Sequence, residues 1–441
     1  MSQRAFEVTQ CRDGIYRGCY CGVNLTMILT ERLFRDLEEG ALEQLEQALH
    51  LPGLERVILT PDVHTGYAVP IGFTAVSPTH LYPDTVGPDP ACSVSLSKIT
   101  TSGFDRLDKP SRRAIIDELE ETISVTRRRG RGRVTYRHVP LDFDELMEIV
   151  SGMRRAPRTW VSAHPPLYAT ATGIFGEFEE LMRTLVTRRL LEQIGSIGGG
   201  NHFLEVQVGE DGALYVMAHF GSRGLGAVGS EMFFELVRED LSERSGRAWG
   251  WDELLFVPAD TRLGKLYFMF QQAMLEYTTF NHLKVQDAAS RVLCKHLGVE
   301  TYEFLGHIPH NFIERRGGRF WQRKGATPAY DNQGIPLLIP GSMSTLSYVL
   351  EPGPNAHLYG ESVPHGAGRL LSRSQAKREL DQKIVDRQFD RQGVMGSFRH
   401  VPLDESYAAY KDVDEVIQAV VEPGIARVVG RLRPVLVLKG E

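Results

Sequence analysis

Glycine gathers around histidine in this chain: His202 ends GSIGGGNH, His219 sits in AHFGSRGLG, and His365 opens HGAGR. Glycine-rich stretches of this kind interrupt regular structure, which places these histidines on loops or element ends. Between them, patterns of helical and extended type alternate, with no Pro/Ser-rich linker, no charge block and no internal repeat of fixed period. The alternation predicts an α/β (α+β) fold formed by a single large domain over residues 1–441.

Apolar residues recur at helical spacing from Thr30 to Leu51, where Pro52-Gly53 ends a surface helix. The apolar run from Arg56 to Pro61 reads as a buried strand that delivers Asp62, Val63 and His64 to its end, a place where α/β proteins put chemistry. Helices are predicted over Arg112–Val125 and Phe178–Gln193. Paired strands are predicted at Phe203–Val208 and Leu214–Ala218, and one or two long helices over Tyr267–Leu297. The stretch from Arg127 to Thr170 has no clear period and reads as irregular. It opens with Arg127, Arg128, Arg129, Arg131 and Arg133, a local basic run that is either a solvated loop or a phosphate-binding surface.

With 42% hydrophobic and 24% charged residues, the chain can form a sizeable core. Its apolar runs, such as Ile335 to Ile339, are too short to span a bilayer, and Met1 to Cys11 lacks the apolar stretch of a secretory signal, so the cytoplasm is the expected compartment. Five cysteines at irregular spacings argue against a disulfide framework. The net charge of −6 means that any nucleic-acid partner is held by a local basic surface.

Asp89, Cys92, His202, His219 and His310 together form a mixed oxygen, sulfur and nitrogen ligand set. Such a set suits a divalent transition ion such as manganese or zinc better than magnesium or calcium. Each is weak taken alone, since a lone histidine is more often structural and a free cysteine is usually a small buried hydrophobe. Asp89 and Cys92 are close enough to reach one ion from a tight turn, and a thiolate can bridge two. The run Gly195 to Gly200 suits either a phosphate cradle or a plain tight loop, and matches no P-loop or dinucleotide fingerprint. His365 is left open by Gly366 and Gly368, and Arg369 and Arg373 would share one face of a helix. That suits a histidine attacking phosphorus beside charge-neutralising guanidinium groups; a helix N-terminus with solvated arginines reads equally well.

The segments PDVHTGYAVPIG, GSIGGGNHFLEVQ, AHFGSRGLG, IPGSMSTLSYVL, HGAGRLLSRSQAKR, AYKDVDEV and the terminal LKG, in that order, resemble the RtcB RNA ligase family from about Ala41 onward. The resemblance implies central sheets flanked by helices, with two manganese ions at the base of a basic cleft. Asp89, Cys92, His202, His219 and His310 would be the ligands, with Cys92 as bridge. His365 would be the nucleophile that takes up GMP from GTP. Asn201, Glu205, Ser342, Ser347, Tyr410 and Lys439 match the family's nucleotide pocket, and Arg189, Arg369 and Arg373 match positions for RNA phosphates. The implied substrates are RNA 3′-phosphate or 2′,3′-cyclic-phosphate ends and 5′-hydroxyl ends, in tRNA splicing or RNA repair, with an archease-like protein as a candidate activator. The alternative is a paralogue that processes or GMP-caps 3′ ends without efficient joining. Thr65, Ala68, Pro88, Ser93 and Phe220 depart from the family pattern, and residues 127–188 diverge most.

Overall fold

The computed structural model describes residues 7–11, 14–101, 104, 107–125, 141–164 and 173–440. Two sheets organise a mixed α/β fold, as expected. The first has the strand order Thr9–Gln10, Tyr16–Tyr20, Val23–Met27, Arg56–His64, Ile71–Ser77, Arg319–Lys324, Asn311–Arg316. The second runs Glu303–Pro309, Ser93–Ile99, Leu214–Phe220, Phe203–Gly209, Ala426–Lys439, Ser347–Pro352, Leu337–Ile339, with Met395–Gly396 beside Ala426–Lys439. The predicted pair of strands is antiparallel and extends to Gly209 and Phe220. Among the described residues no helix is long and apolar enough to cross a membrane.

Tyr267–Leu297 belongs to one helix, Arg262–Leu297. The Thr261 hydroxyl accepts from the Gly264 amide at its start, and Gly298, at φ 66°, ends it in the left-handed region where glycine has no Cβ penalty. Every residue from Met269 to Thr279 is buried, so this is a core helix rather than an amphipathic surface one. It lies against Ser93–Ile99 and Leu214–Phe220, the two strands beside which the candidate site forms.

Four expectations need correction. Thr30–Leu51 is two helices, Glu31–Arg35 and Glu39–Ala48. Glu38 is extended between them because its carboxylate accepts from the Thr65 amide at 2.9 Å instead of continuing a helical turn. The helix expected at Arg112 starts at Lys109, where Asp108 caps the Ser111 amide, and it ends at Thr122. Phe178–Gln193 divides into Phe175–Leu185 and Arg188–Leu191, separated by an extended Val186 and Thr187. The stretch read as irregular contains the helices Phe143–Val150 and Trp160–Ala163; the first is started by a capping box between Asp142 and Glu145, a short-range signal that overrides the missing period. The arginine run at 127–133 lies outside the described residues.

Candidate metal centre

Strand register collects the candidate donors at one end of the second sheet. His219 pairs across with Phe203 on one side and Val94 on the other, and Phe203 pairs with Lys439. Ser93 pairs with both Phe220 and Pro309. Cys92, His202 and His310 each sit one residue beyond these paired positions, so pairing alone gathers residues that are distant in sequence. The Cys92 carbonyl also accepts from the His310 amide at 2.9 Å. At His310 the chain leaves the second sheet and enters the first through Asn311–Arg316.

The donor atoms of Cys92, His219 and His310 all lie within 4.8 Å of one another, as do those of Asp89, Cys92 and His202. Cys92 belongs to both sets, its Sγ 3.3 Å from His219 Nε2 and 3.7 Å from His202 Nε2. His219 Nε2 is 3.2 Å from His310 Nε2, and His202 Nε2 is 3.0 Å from Asp89 Oδ2. Burial, and then the neighbouring imidazoles, hold His219 and His310 well below the ordinary histidine value, so both offer lone pairs at neutral pH. Burial, and then Asp89, push the Cys92 thiol up. A divalent cation taking the place of that proton would reverse the preference, and the sulfur–imidazole–carboxylate donor set fits such an ion. Burial would raise Asp89, but His202 and Arg223 outweigh it and hold the carboxyl low. A Cβ on Gly221, two residues after His219, would fall 2.1 Å from Asp89 Oδ1, so any side chain there would displace this carboxylate.

His365 abuts the cluster, its ring centroid 4.9 Å from that of His310 and 6.4 Å from that of His219. Asp62 Oδ2 lies 2.6 Å from His365 Nδ1 and accepts from its backbone amide at 3.0 Å, while the Thr60 hydroxyl donates to Oδ1 at 2.5 Å. Burial would raise Asp62, but His365 and Thr60 overcome it and keep it below the usual carboxylate range. An ionised carboxylate only accepts, so Nδ1 of His365 carries a proton, and the tautomer this selects for the neutral ring is the one that leaves the lone pair on Nε2.

His365 lines a cavity of about 330 Å³ together with Asn201, Glu205, Ser342, Arg369, Arg373, Tyr410 and Lys439. Ser347 is buried behind it. Its hydroxyl accepts from Gln207 Nε2 at 3.0 Å, and the same amide group donates to Glu205 at 2.7 Å. Burial lifts Glu205 to about 7 against the opposing pull of Gln207 and Lys439. Arg369 and Arg373 do not share a helix as expected, because the Ser372–Gln375 capping box starts that helix only at Arg373. They converge instead on one buried acid: each donates to Glu405 Oε1 at 2.6 Å, while Lys439 and Tyr410 reach Oε2 at 2.9 and 2.7 Å. Burial would raise Glu405, yet these cations bring it to about 2. The side chain of Arg189 lies outside the described residues.

Glu405 was missed in the sequence because nothing periodic links it to arginines more than thirty positions away. Two further cations stand by the cluster. Arg223, at φ 58°, donates to Ser196 Oγ at 3.2 Å and draws Asp89 down. Lys324 is buried and lowered by that burial to about 8, despite Asp84 and Asp89. Of the departures from the family pattern, Thr65 is pinned by Glu38, Ser93 donates to the Ala91 carbonyl at 2.5 Å, and Phe220 stacks on His282 at 3.6 Å. Nothing in the structure accounts for Ala68 or Pro88.

A mixed α/β fold with a buried thiol–imidazole–carboxylate cluster beside a charged cavity has side chains that could hold a divalent metal, the architecture of a metal-dependent enzyme. The family model described as tRNA-splicing ligase RtcB matches residues 44–440. The chain is 32% identical to the tRNA-splicing ligase RtcB of Archaeoglobus fulgidus, over 93% of each protein. It is 33% identical to the RNA-splicing ligase RtcB of Mycobacterium tuberculosis, over 88% of this chain and 98% of that protein, and 31% identical to the tRNA-splicing ligase RtcB of Thermococcus kodakarensis, over 91% and 92%. This chain belongs to the RtcB family.

Proposed function

We propose that this chain is a GTP-dependent RNA ligase that joins a 3′-phosphate or 2′,3′-cyclic-phosphate end to a 5′-hydroxyl end, acting as one catalytic unit on tRNA halves or broken RNA in the cytoplasm. The observation that carries this reading is the position of His365, oriented by Asp62, against a double ligand set that shares Cys92. Asp89, Cys92, His202, His219 and His310 would hold a pair of manganese ions. Bound there, the ions would neutralise phosphate charge and activate a hydroxyl or water.

The chain's own groups account for the rest. Lone-pair-bearing His365 Nε2 attacks the α-phosphorus of GTP; an N–P bond forms and pyrophosphate leaves. The RNA 3′-phosphate then attacks the same phosphorus, frees His365 and carries the guanylate on a diphosphate. Finally the 5′-hydroxyl attacks the RNA phosphorus, GMP leaves, and a phosphodiester remains. Glu205, Ser342, Tyr410 and Lys439, with Ser347 behind, form the guanine side of the cavity, and Asn201 stands near the phosphates. Arg369, Arg373 and Arg189 would neutralise RNA phosphate oxygens. An archease-like activator would act on turnover of this same site.

The test is joining of an RNA ending in 2′,3′-cyclic phosphate to one beginning with 5′-hydroxyl, with GTP and manganese supplied. Products capped with GMP but not joined would indicate an end-processing enzyme instead, and equal activity with ATP would count against the guanine pocket. Asp62→Asn replaces an acceptor with a group that can donate, so the His365 tautomer is no longer imposed. Guanylate uptake is expected to fall by about 100-fold or more with the fold intact, as a labelling time course would read. The pH dependence of GTP affinity tests Glu205. Guanine offers N–H donors, which favour the carboxylate over the acid. Because burial raises Glu205 to about 7, the ionised form is present above that pH and lost below it. Affinity measured by calorimetry is therefore expected to weaken about fivefold from pH 7 to pH 6, and Glu205→Gln to flatten the profile.

A further inference from the structure

We propose that His64 reads a ribose hydroxyl of the bound RNA end, with its Nε2 as the hydrogen-bond acceptor; the inference rests on the ligase reading above. His64 ends the strand Arg56–His64 and lines the same cavity as His365. Its Nδ1 is 2.8 Å from the Asp62 carbonyl oxygen, which can only accept, so the ring proton is on Nδ1 and Nε2 bears the lone pair. Among the described residues no protein group is hydrogen-bonded to Nε2. The nearby ammonium of Lys411 is directed to the carbonyls of Pro61 and Val63 rather than to the ring.

Burial lowers His64 to about 3, against the bond to Asp62, so the ring is neutral at working pH and is too weak a base to take a proton outright. A neutral acceptor of this kind repels phosphate oxygens and calls for a donor. In an RNA end the donors nearest the reacting phosphorus are the 2′-hydroxyl and the attacking 5′-hydroxyl; base N–H groups lie beyond the sugar. The site is also preorganised. The loop after His64 is held from behind: the Thr65 amide donates to Glu38 at 2.9 Å and the Gly66 amide to Gln44 Oε1 at 2.9 Å, while Gln44 Nε2 returns a bond to the Gly66 carbonyl at 3.0 Å. Asp62 thus sets two rings, His64 through its backbone and His365 through its carboxylate.

The experiment uses the full chain with GTP and manganese and measures joining rates of wild type and His64→Phe on all-ribose RNA and on RNAs carrying 2′-deoxyribose at either the 3′-phosphate or the 5′-hydroxyl nucleotide. His64→Phe keeps the ring shape without the acceptor. If a 2′-hydroxyl is the partner, wild type loses about tenfold on the matching deoxy substrate, and His64→Phe loses as much on all-ribose RNA but nothing further on that deoxy substrate. If the 5′-hydroxyl is the partner, the losses multiply on both deoxy substrates, and His64→Phe slows joining of RNA that already carries the 3′ diphosphate-linked guanosine by about tenfold. His64→Gln, which offers an oxygen near the Nε2 position, restores most of the rate. Should His64→Phe fail to fold, His64→Asn, polar at the Nδ1 position only, replaces it. Wild-type rates in the variant on every substrate, or multiplying losses together with a normal rate on the preactivated RNA, overturn the assignment. Failure of wild type to join any of these RNAs would defeat the ligase reading itself.

Discussion

His365→Ala is expected to abolish covalent uptake of guanylate from α-labelled GTP, a loss of at least about 10⁴-fold, while metal content and thermal unfolding stay close to wild type. The expectation follows from the wiring of the cavity. Lys439, another nitrogen that lines the cavity, has its ammonium committed to Glu405 at 2.9 Å and to the His202 carbonyl at 3.5 Å, and His64 is too weak a base to compete. His365 alone among the predicted site residues combines an imposed Nδ1 proton with a place against the ligand cluster. Denaturing electrophoresis after incubation gives the readout, and acid treatment should remove the wild-type label, because a phosphoramidate is acid-labile. Persistent label on His365→Ala would mean that another residue is the nucleophile, and the mechanism above would fall with it.

Cys92→Ala is expected to be the most damaging change to the metal centre. Its sulfur is the one donor common to both three-residue sets, so the substitution removes a ligand from each, whereas His310→Ala would touch one set. Manganese affinity measured by calorimetry is expected to drop by about 100-fold or more at both sites, with joining activity lost in parallel. Thermal unfolding supplies an independent readout. Metal that binds only the folded state raises the midpoint of wild type, and that rise should vanish in Cys92→Ala. Cys92→Ala binding two ions per chain with unchanged affinity would refute the bridging role.

Much of the candidate centre is legible in the sequence as a set of candidate side chains. His202 and His219 stand out as candidate donors because glycine near histidine is hard to explain as helix or strand interior; Asp89, Cys92 and His310 are weak alone and join them through the mixed ligand chemistry and the family resemblance. Asp62 and His64 were visible as a polar cluster at the end of a buried strand, although their roles were not. The long helix was recognised but its face was not, since burial on all sides from Met269 to Thr279 erases the stripe that periodicity detects. The breaks at Asp36–Glu38 and at Val186–Thr187 escaped notice because a helical pattern on both sides of a short interruption looks continuous. Glu38 leaves the helix for a bond to Thr65, a contact twenty-seven positions away.

The division has a physical basis. Residue chemistry and local period are properties of neighbours in the chain, so the sequence by itself determined the α/β class, most of the strands and helices that frame the site, and which side chains could hold a cation or attack phosphorus. Proximity and protonation are properties of packing. Only the tertiary structure decided that pairing brings Ser93, Phe220 and Pro309 level at one sheet end, with Phe203 beside His219, so that Cys92 falls between two donor groups. It alone decided that three cations share Glu405 and that Asp62, 303 positions away, holds the Nδ1 proton of His365, because such bonds exist only once the chain has folded; the bond from His64 to the Asp62 carbonyl is local.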